Sequence, residues 1–88
     1  MTKHQTPEQI CMAQYSAGRI KVKAFLLALR TGVQNRYEIV LEQPDERVSC
    51  EVGTDLLQAR NLFLDVVFGG VTACTLPDVI EDRMGTLF

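Results

Sequence analysis

From Arg19 the chain alternates. In RIKVKAFLLALR, residues 19–30, the even positions Ile20, Val22, Ala24, Leu26 and Ala28 are apolar, while the odd positions open with Arg19, Lys21 and Lys23. Period two is the mark of a half-buried strand. The odd positions then turn apolar at Phe25, Leu27 and Leu29, so the second half of this strand needs cover on both faces. RYEIVLEQ at 36–43 sets Tyr37, Ile39 and Leu41 against Arg36, Glu38 and Glu42, with Val40 intruding on the charged side. RVSCEVG at 47–53 points Val48, Cys50 and Val52 inward. Gly32 and Asn35 in TGVQN, residues 31–35, and PDE at 44–46 separate these runs with residues that favour turns. Three strands and two short turns predict an antiparallel meander. Its solvent face would carry Lys21, Lys23, Arg36, Glu38, Glu42, Arg47 and Glu51.

The pattern is different from residue 54 onward. TDLLQARNLFLDVVFGG, residues 54–70, begins with Thr54 or Asp55 as an N-cap and ends at the pair Gly69–Gly70, which predicts a helix. Gln58, Asn61 and Asp65 form a narrow polar stripe, and Leu56, Leu57, Ala59, Leu62, Phe63, Leu64, Val66, Val67 and Phe68 cover the other sides. A helix apolar on most sides needs cover on most sides. VTACTLPDVIEDRM, residues 71–84, carries Thr75 and Asp78 at capping-box spacing with Pro77 between them, and predicts a closing helix at about 76–84. Leu76, Val79, Ile80 and Met84 share one side of it; Asp78, Glu81 and Asp82 share the other. At the opposite end, Thr6, Pro7 and Gln9 have N-cap, N1 and N3 chemistry. They predict a short helix over about 7–16 that carries Ile10, Cys11, Ala13 and Tyr15 and stops at Gly18. Residues 1–5 read as a loose tail. The expected fold is therefore α+β: a short N-terminal helix, a three-stranded antiparallel meander and two C-terminal helices packed on the sheet, in one domain over 6–88.

Composition narrows the function. The 88 residues are 47% hydrophobic and 23% charged, with a net charge of −2, which suits a small globule and gives no general attraction to nucleic acid. A chain this short buries about 60–65% of its unfolded surface, so any surplus of apolar side chains is hard to hide. The three cysteines, Cys11, Cys50 and Cys74, are odd in number and widely spaced, unlike a disulfide framework. They read as reduced thiols in a cytoplasmic protein. With His4 as the single histidine, no zinc site assembles, and no cofactor is implied. The polar start MTKHQTPEQ lacks the apolar core of a signal peptide. The longest apolar run, Ala24–Leu29, is six residues, against about 20 for a membrane span.

Three features could carry function. The acidic side of the last helix, Asp78, Glu81 and Asp82, is accounted for by the helix macrodipole, but a basic partner would relieve the repulsion between Asp78 and Asp82. Cys74 precedes a helix start, where a thiolate gains stability, yet a nucleophile needs a base and His4 lies far off in sequence. Ser16 and Ser49 meet the same objection. Gly69–Gly70 follows a helix and lacks the succeeding Lys-Ser or Lys-Thr of a phosphate loop. The third feature is surplus apolar surface: Phe25, Leu27 and Leu29 on the first strand, with Leu57, Leu64 and Phe68 on the long helix. The N-terminal helix could cover one of these groups, and the other becomes an association surface.

The C-terminal motif VTACTLPDVIED resembles a family of short uncharacterised proteins of clostridial and related Firmicutes, whose run is close to V-T-P-x-T-L-x-D-V-I-E-D. Val71, Thr72, Thr75, Leu76, Asp78, Val79, Ile80, Glu81 and Asp82 match; Ala73 stands where that family has proline and Pro77 where it often has an aromatic residue. The resemblance implies three strands followed by two helices and a bacterial cytoplasmic setting, and no catalytic residues. The sequence thus reads as a non-enzymatic protein–protein interaction module, self-associating as a dimer or binding a protein partner, without direct contact to nucleic acid or membrane. One alternative is a phage or mobile-element inhibitor that binds a basic partner through the acidic helix face. Another is a small ligand-binding protein or thiol enzyme using Cys74.

Overall fold

The computed structural model describes residues 7–84. The sheet has four strands, not three. β1 (Glu8–Ala17), β2 (Ile20–Thr31), β3 (Gln34–Gln43) and β4 (Glu46–Glu51) form an antiparallel meander in the spatial order of the chain, and α1 (Leu56–Phe68) and α2 (Leu76–Arg83) follow. The expected N-terminal helix is overturned: its residues form β1. Thr6, on which the predicted cap depended, and the tail at 1–5 lie outside the described residues.

The reason is legible afterwards in QICMAQYSA itself. Cys11, Ala13, Tyr15 and Ala17 alternate with Met12, Gln14 and Ser16, and their burial alternates with them. A ten-residue helix would be marginal alone, whereas β1 gains a full ladder against β2, from Cys11 opposite Leu26 to Ala17 opposite Ile20. Gly18, read as a helix stop, is a hairpin residue. Its φ of 66° and the negative φ of Arg19 fit a two-residue type II′ turn, whose twist matches that of paired strands. Gly32, at φ 64° before Val33, makes the same turn between β2 and β3. Pro44–Asp45 joins β3 to β4 without a positive φ, as proline at the second position of an ordinary turn allows.

Both helices lie on one face of the sheet, and the shortest dimension of the molecule is 18 Å. The core fills the space between the two layers. Val22, Ala24, Leu26 and Ala28 of β2, Tyr37, Ile39 and Leu41 of β3, and Val52 after β4 meet Ala59, Leu62, Phe63 and Val66 of α1, with Leu76 and Ile80 of α2. The α1 residues recur at i, i+3, i+4 and i+7, one stripe of a helix. Asp55 caps α1, its Oδ1 accepting from the Leu57 and Gln58 amides at 3.0 and 3.3 Å. The cap expected on α2 takes another form. Thr75 makes no side-chain cap bond; its hydroxyl instead donates to the Thr72 carbonyl at 3.1 Å.

Two polar ties fasten the α1–α2 connection to the sheet. The Ala73 amide donates to Gln43 Oε1 at 2.7 Å, and the Tyr15 hydroxyl donates to the Val71 carbonyl at 2.6 Å. Tyr15→Phe should lower the unfolding free energy by about 1 kcal/mol, measured by urea denaturation at neutral pH. Burial also pushes the Tyr15 phenol up to about 12 from its ordinary 10.0. The folded value lies above the unfolded one. The contribution of the protonated hydroxyl is therefore complete below pH 10 and lost as the pH climbs towards 12. Parent stability should fall across that window and fall less in Tyr15→Phe; equal slopes would disconnect Tyr15 from the alkaline transition.

Candidate functional site

The face of the sheet turned away from the helices has no second layer among the described residues. Directly paired residues on adjacent strands point to the same face, so the register gives this surface row by row. Met12, Phe25, Val40 and Ser49 form one row across all four strands. Leu27, Glu38 and Glu51 form the next, and Leu29 stands opposite Arg36 beyond it. On the other side, Gln14, Lys23, Glu42 and Arg47 make a row in which the charges alternate.

At the centre is an apolar strip. Val40, which broke the alternation of its strand, is fully buried although it lies on the open face, flanked by Phe25 and Ser49. Phe25, Leu27 and Leu29 are half-buried and Met12 is exposed. Four of the charged residues around the strip form two ion pairs. Arg36 pairs with Glu51 at 3.0 Å, and the Arg47 guanidinium donates to Glu42 at 3.2 Å. Exposed pairs like these add little stability, but they hold both signs in place around the strip.

The six residues read as surplus apolar surface fall on two sides of the molecule. Phe25, Leu27 and Leu29 are on the open sheet face. Leu57, Leu64 and Phe68, spaced i, i+7 and i+11, lie on the side of α1 opposite its buried stripe, with Leu57 65% and Phe68 83% exposed. The helical layer and the sheet lie between the two groups, so no single flat surface can include both. β1 covers neither: it extends the sheet and adds Met12 to the strip.

The acidic side of α2 is placed as its spacing implied, with Asp78, Glu81 and Asp82 exposed. Arg83 reaches from the end of α2 to Asp65 of α1 at 3.7 Å. Among the described residues no group of three or more His, Cys, Asp and Glu side chains is arranged to hold a metal ion. No buried side-chain polar atom there lacks a hydrogen-bond partner, so no orphaned group points to a ligand. A hollow of about 460 Å³ near the β1–β2 turn is lined by Gln14, Lys21, Lys23, Glu42 and Pro44 among others, and its Glu42 is the ion-pair partner of Arg47. Cys74 is exposed, and its sulfur lies 3.8 Å from the Thr72 hydroxyl, which is not a general base. His4 lies outside the described residues. Cys11 and Cys50 pack at the margin of the core.

No protein-family model, curated protein or solved structure matches the chain. Among the described residues no helix is long and apolar enough to cross a membrane.

The thiols should separate in timed alkylation of the native protein followed by mass spectrometry. Cys74 is exposed and should react first. Cys50 should react last, because burial and the neighbouring charge of Glu38 raise its pKa and reduce its thiolate fraction. A Cys74 rate well above that of a free thiol would favour the enzyme reading.

Proposed function

We propose that this chain is a non-enzymatic protein–protein interaction module of the bacterial cytoplasm that self-associates through the open face of its sheet. The observation that carries the reading is the strip formed by the half-buried Phe25, Leu27 and Leu29 and the exposed Met12 around the buried Val40, which no second layer covers among the described residues. Contiguous apolar surface rimmed by polar groups is characteristic of interaction sites. Its rim also bears on the partner. Lys21, Lys23, Arg36 and Arg47 stand with Glu38, Glu42 and Glu51, a mixed and nearly balanced set that repels neither sign and favours neither. A nucleic acid would want the cations unaccompanied. A second copy of the same face brings an equally balanced rim and an apolar strip of the same kind, and two sheets packed face to face are an established way to bury such strips.

Light scattering at several concentrations tests this. The parent should show a mass above the 9.9 kDa of one chain, rising with concentration. Phe25→Lys should lower that mass while keeping the urea midpoint of a folded protein, because the change is on a half-exposed position outside the two-layer core. Combined Asp78→Asn, Glu81→Gln and Asp82→Asn should leave the mass unchanged. A Phe25→Lys protein that associates as the parent does would remove the open face from the account, and an effect of the acidic triple change would move attention to α2.

A further inference from the structure

The two edges of the sheet are protected unequally. A strand edge presents a row of unpaired backbone groups, and folded proteins blunt it with charges, proline, bulges, short length or a covering element. β4 has most of these: it is six residues long, carries Glu46, Arg47 and Glu51, and has α2 packed beside it. β1 has one. A register irregularity between Gln9 and Cys11 disturbs its first residues, but from Cys11 to Ala17 the seven residues are in regular register with β2 and contain no charge and no proline. At roughly 3.4 Å per residue this is a straight edge about 24 Å long. Its inward side chains, Cys11, Ala13, Tyr15 and Ala17, pack against the core yet remain only half-buried, because the layer stops at β1.

We infer that β1 pairs with β1 of a second copy, antiparallel across a two-fold axis perpendicular to the sheet, doubling the four strands into one continuous sheet. Backbone pairing at an edge is satisfied by another strand, and an uncharged strand meets its own copy with no like charges opposed. Use of all seven regular residues fixes the axis at Gln14, the middle of Cys11–Ala17. Ala13 then stands opposite the second copy's Tyr15, small against large, and Cys11 opposite its Ala17, so each inward row is completed by the other. On the open side Gln14 faces its own copy. Both helical layers fall on one side of the doubled sheet and both apolar strips on the other. This edge is geometrically separate from the open-face contact and does not rest on it.

The test is made in the Phe25→Lys background, where the open face is disabled. Gln14 is exposed and stands beside Lys23, so Gln14→Glu is compatible with the fold of one chain while opposing two carboxylates at the axis. Gln14→Lys opposes two ammonium groups. Each variant alone should dimerise at least about tenfold more weakly than the background protein, by analytical ultracentrifugation, and an equimolar mixture of the two should recover association as a heterodimer. Separately, with Cys11, Cys50 and Cys74 changed to Ala, Gln14→Cys should form a disulfide-linked dimer on mild oxidation far faster than Met12→Cys or Ser16→Cys. Failure of the mixture to recover, together with no preference for position 14 in cross-linking, would overturn self-pairing at this edge. An association indifferent to charge at position 14 would overturn it too, while leaving the open-face reading standing or falling on Phe25→Lys alone. If charge at position 14 instead abolishes capture of a different chain without affecting self-association, the edge accepts a foreign strand and the inference is wrong about its occupant.

Discussion

The register of β2 is the constraint on which the other parts depend. It is paired on both sides, with β1 and with β3, and a slip of one residue would exchange its two faces. The inner row Val22, Ala24, Leu26 and Ala28 would then give way to Lys21, Lys23, Phe25 and Leu27, and ammonium groups would enter the core. Only the first half of the strand enforces this, because from Phe25 to Leu29 both faces are apolar and hydrophobicity alone cannot choose between them. The choice falls to Lys21, Lys23 and the two glycine turns. Gly18–Arg19 and Gly32–Val33 are two-residue loops, and a loop of fixed length and type locks the strands it joins. The small Ala24 and Ala28 in the inner row leave room for the layer that carries Ala59, itself fully buried.

Once that register is set, the helices can lie on one side only. Val52 and Gly53 continue the ladder past β4 through backbone bonds with Tyr37, and Asp55 caps α1 almost at once. The connection is too short to cross to the far face. The α1–α2 link is held to the same side by Tyr15 and Gln43. Among the described residues the elements end with α2, and none forms a third layer. Among the described residues Phe25, Leu27, Leu29 and Val40 therefore stand on the face opposite the helices, where Val40 is nevertheless fully buried.

Much of this was readable in the residues. The three alternating runs, their turns and both C-terminal helices stand close to where the pattern puts them, and the open face carries the charged residues the alternation assigns to it. β1 was not read, for a local reason. Thr6, Pro7 and Gln9 spell a helix start, and Gly18 serves equally as a helix stop or as the first residue of a hairpin. The alternation Cys11, Ala13, Tyr15, Ala17 was present but weak, because alanine and cysteine are small and Met12 breaks the polar row. What decided it was pairing with β2, in which Cys11 meets Leu26 and Glu8 meets Ala28, and pairing at that range is invisible to a window that sees only neighbours. The capping box at Thr75 failed similarly: Thr72 lies within reach and takes its hydroxyl. The two apolar groups lie on opposite sides of the molecule, which the sequence did not show, since helix and strand periodicities say which side of an element is apolar but not how two elements are turned towards each other.

That geometry limits the assemblies open to the chain. A contact of the open face with the outer ridge of α1, Leu57, Leu64 and Phe68, would join opposite sides of the molecule, and a contact between unlike surfaces propagates unless its rotation happens to close. Self-association of that kind tends towards filaments. Pairing of like with like does close: the open face against itself, or β1 against itself, each about a two-fold axis. These two operations are compatible, because one axis lies between the faces and the other passes through the sheet, and where the two axes meet at right angles they generate a closed set of four copies with every apolar strip inside. The ridge on α1 would remain on the outside of such an assembly. Its exposure is then the feature least explained by self-association, and the one that a different partner would have to account for.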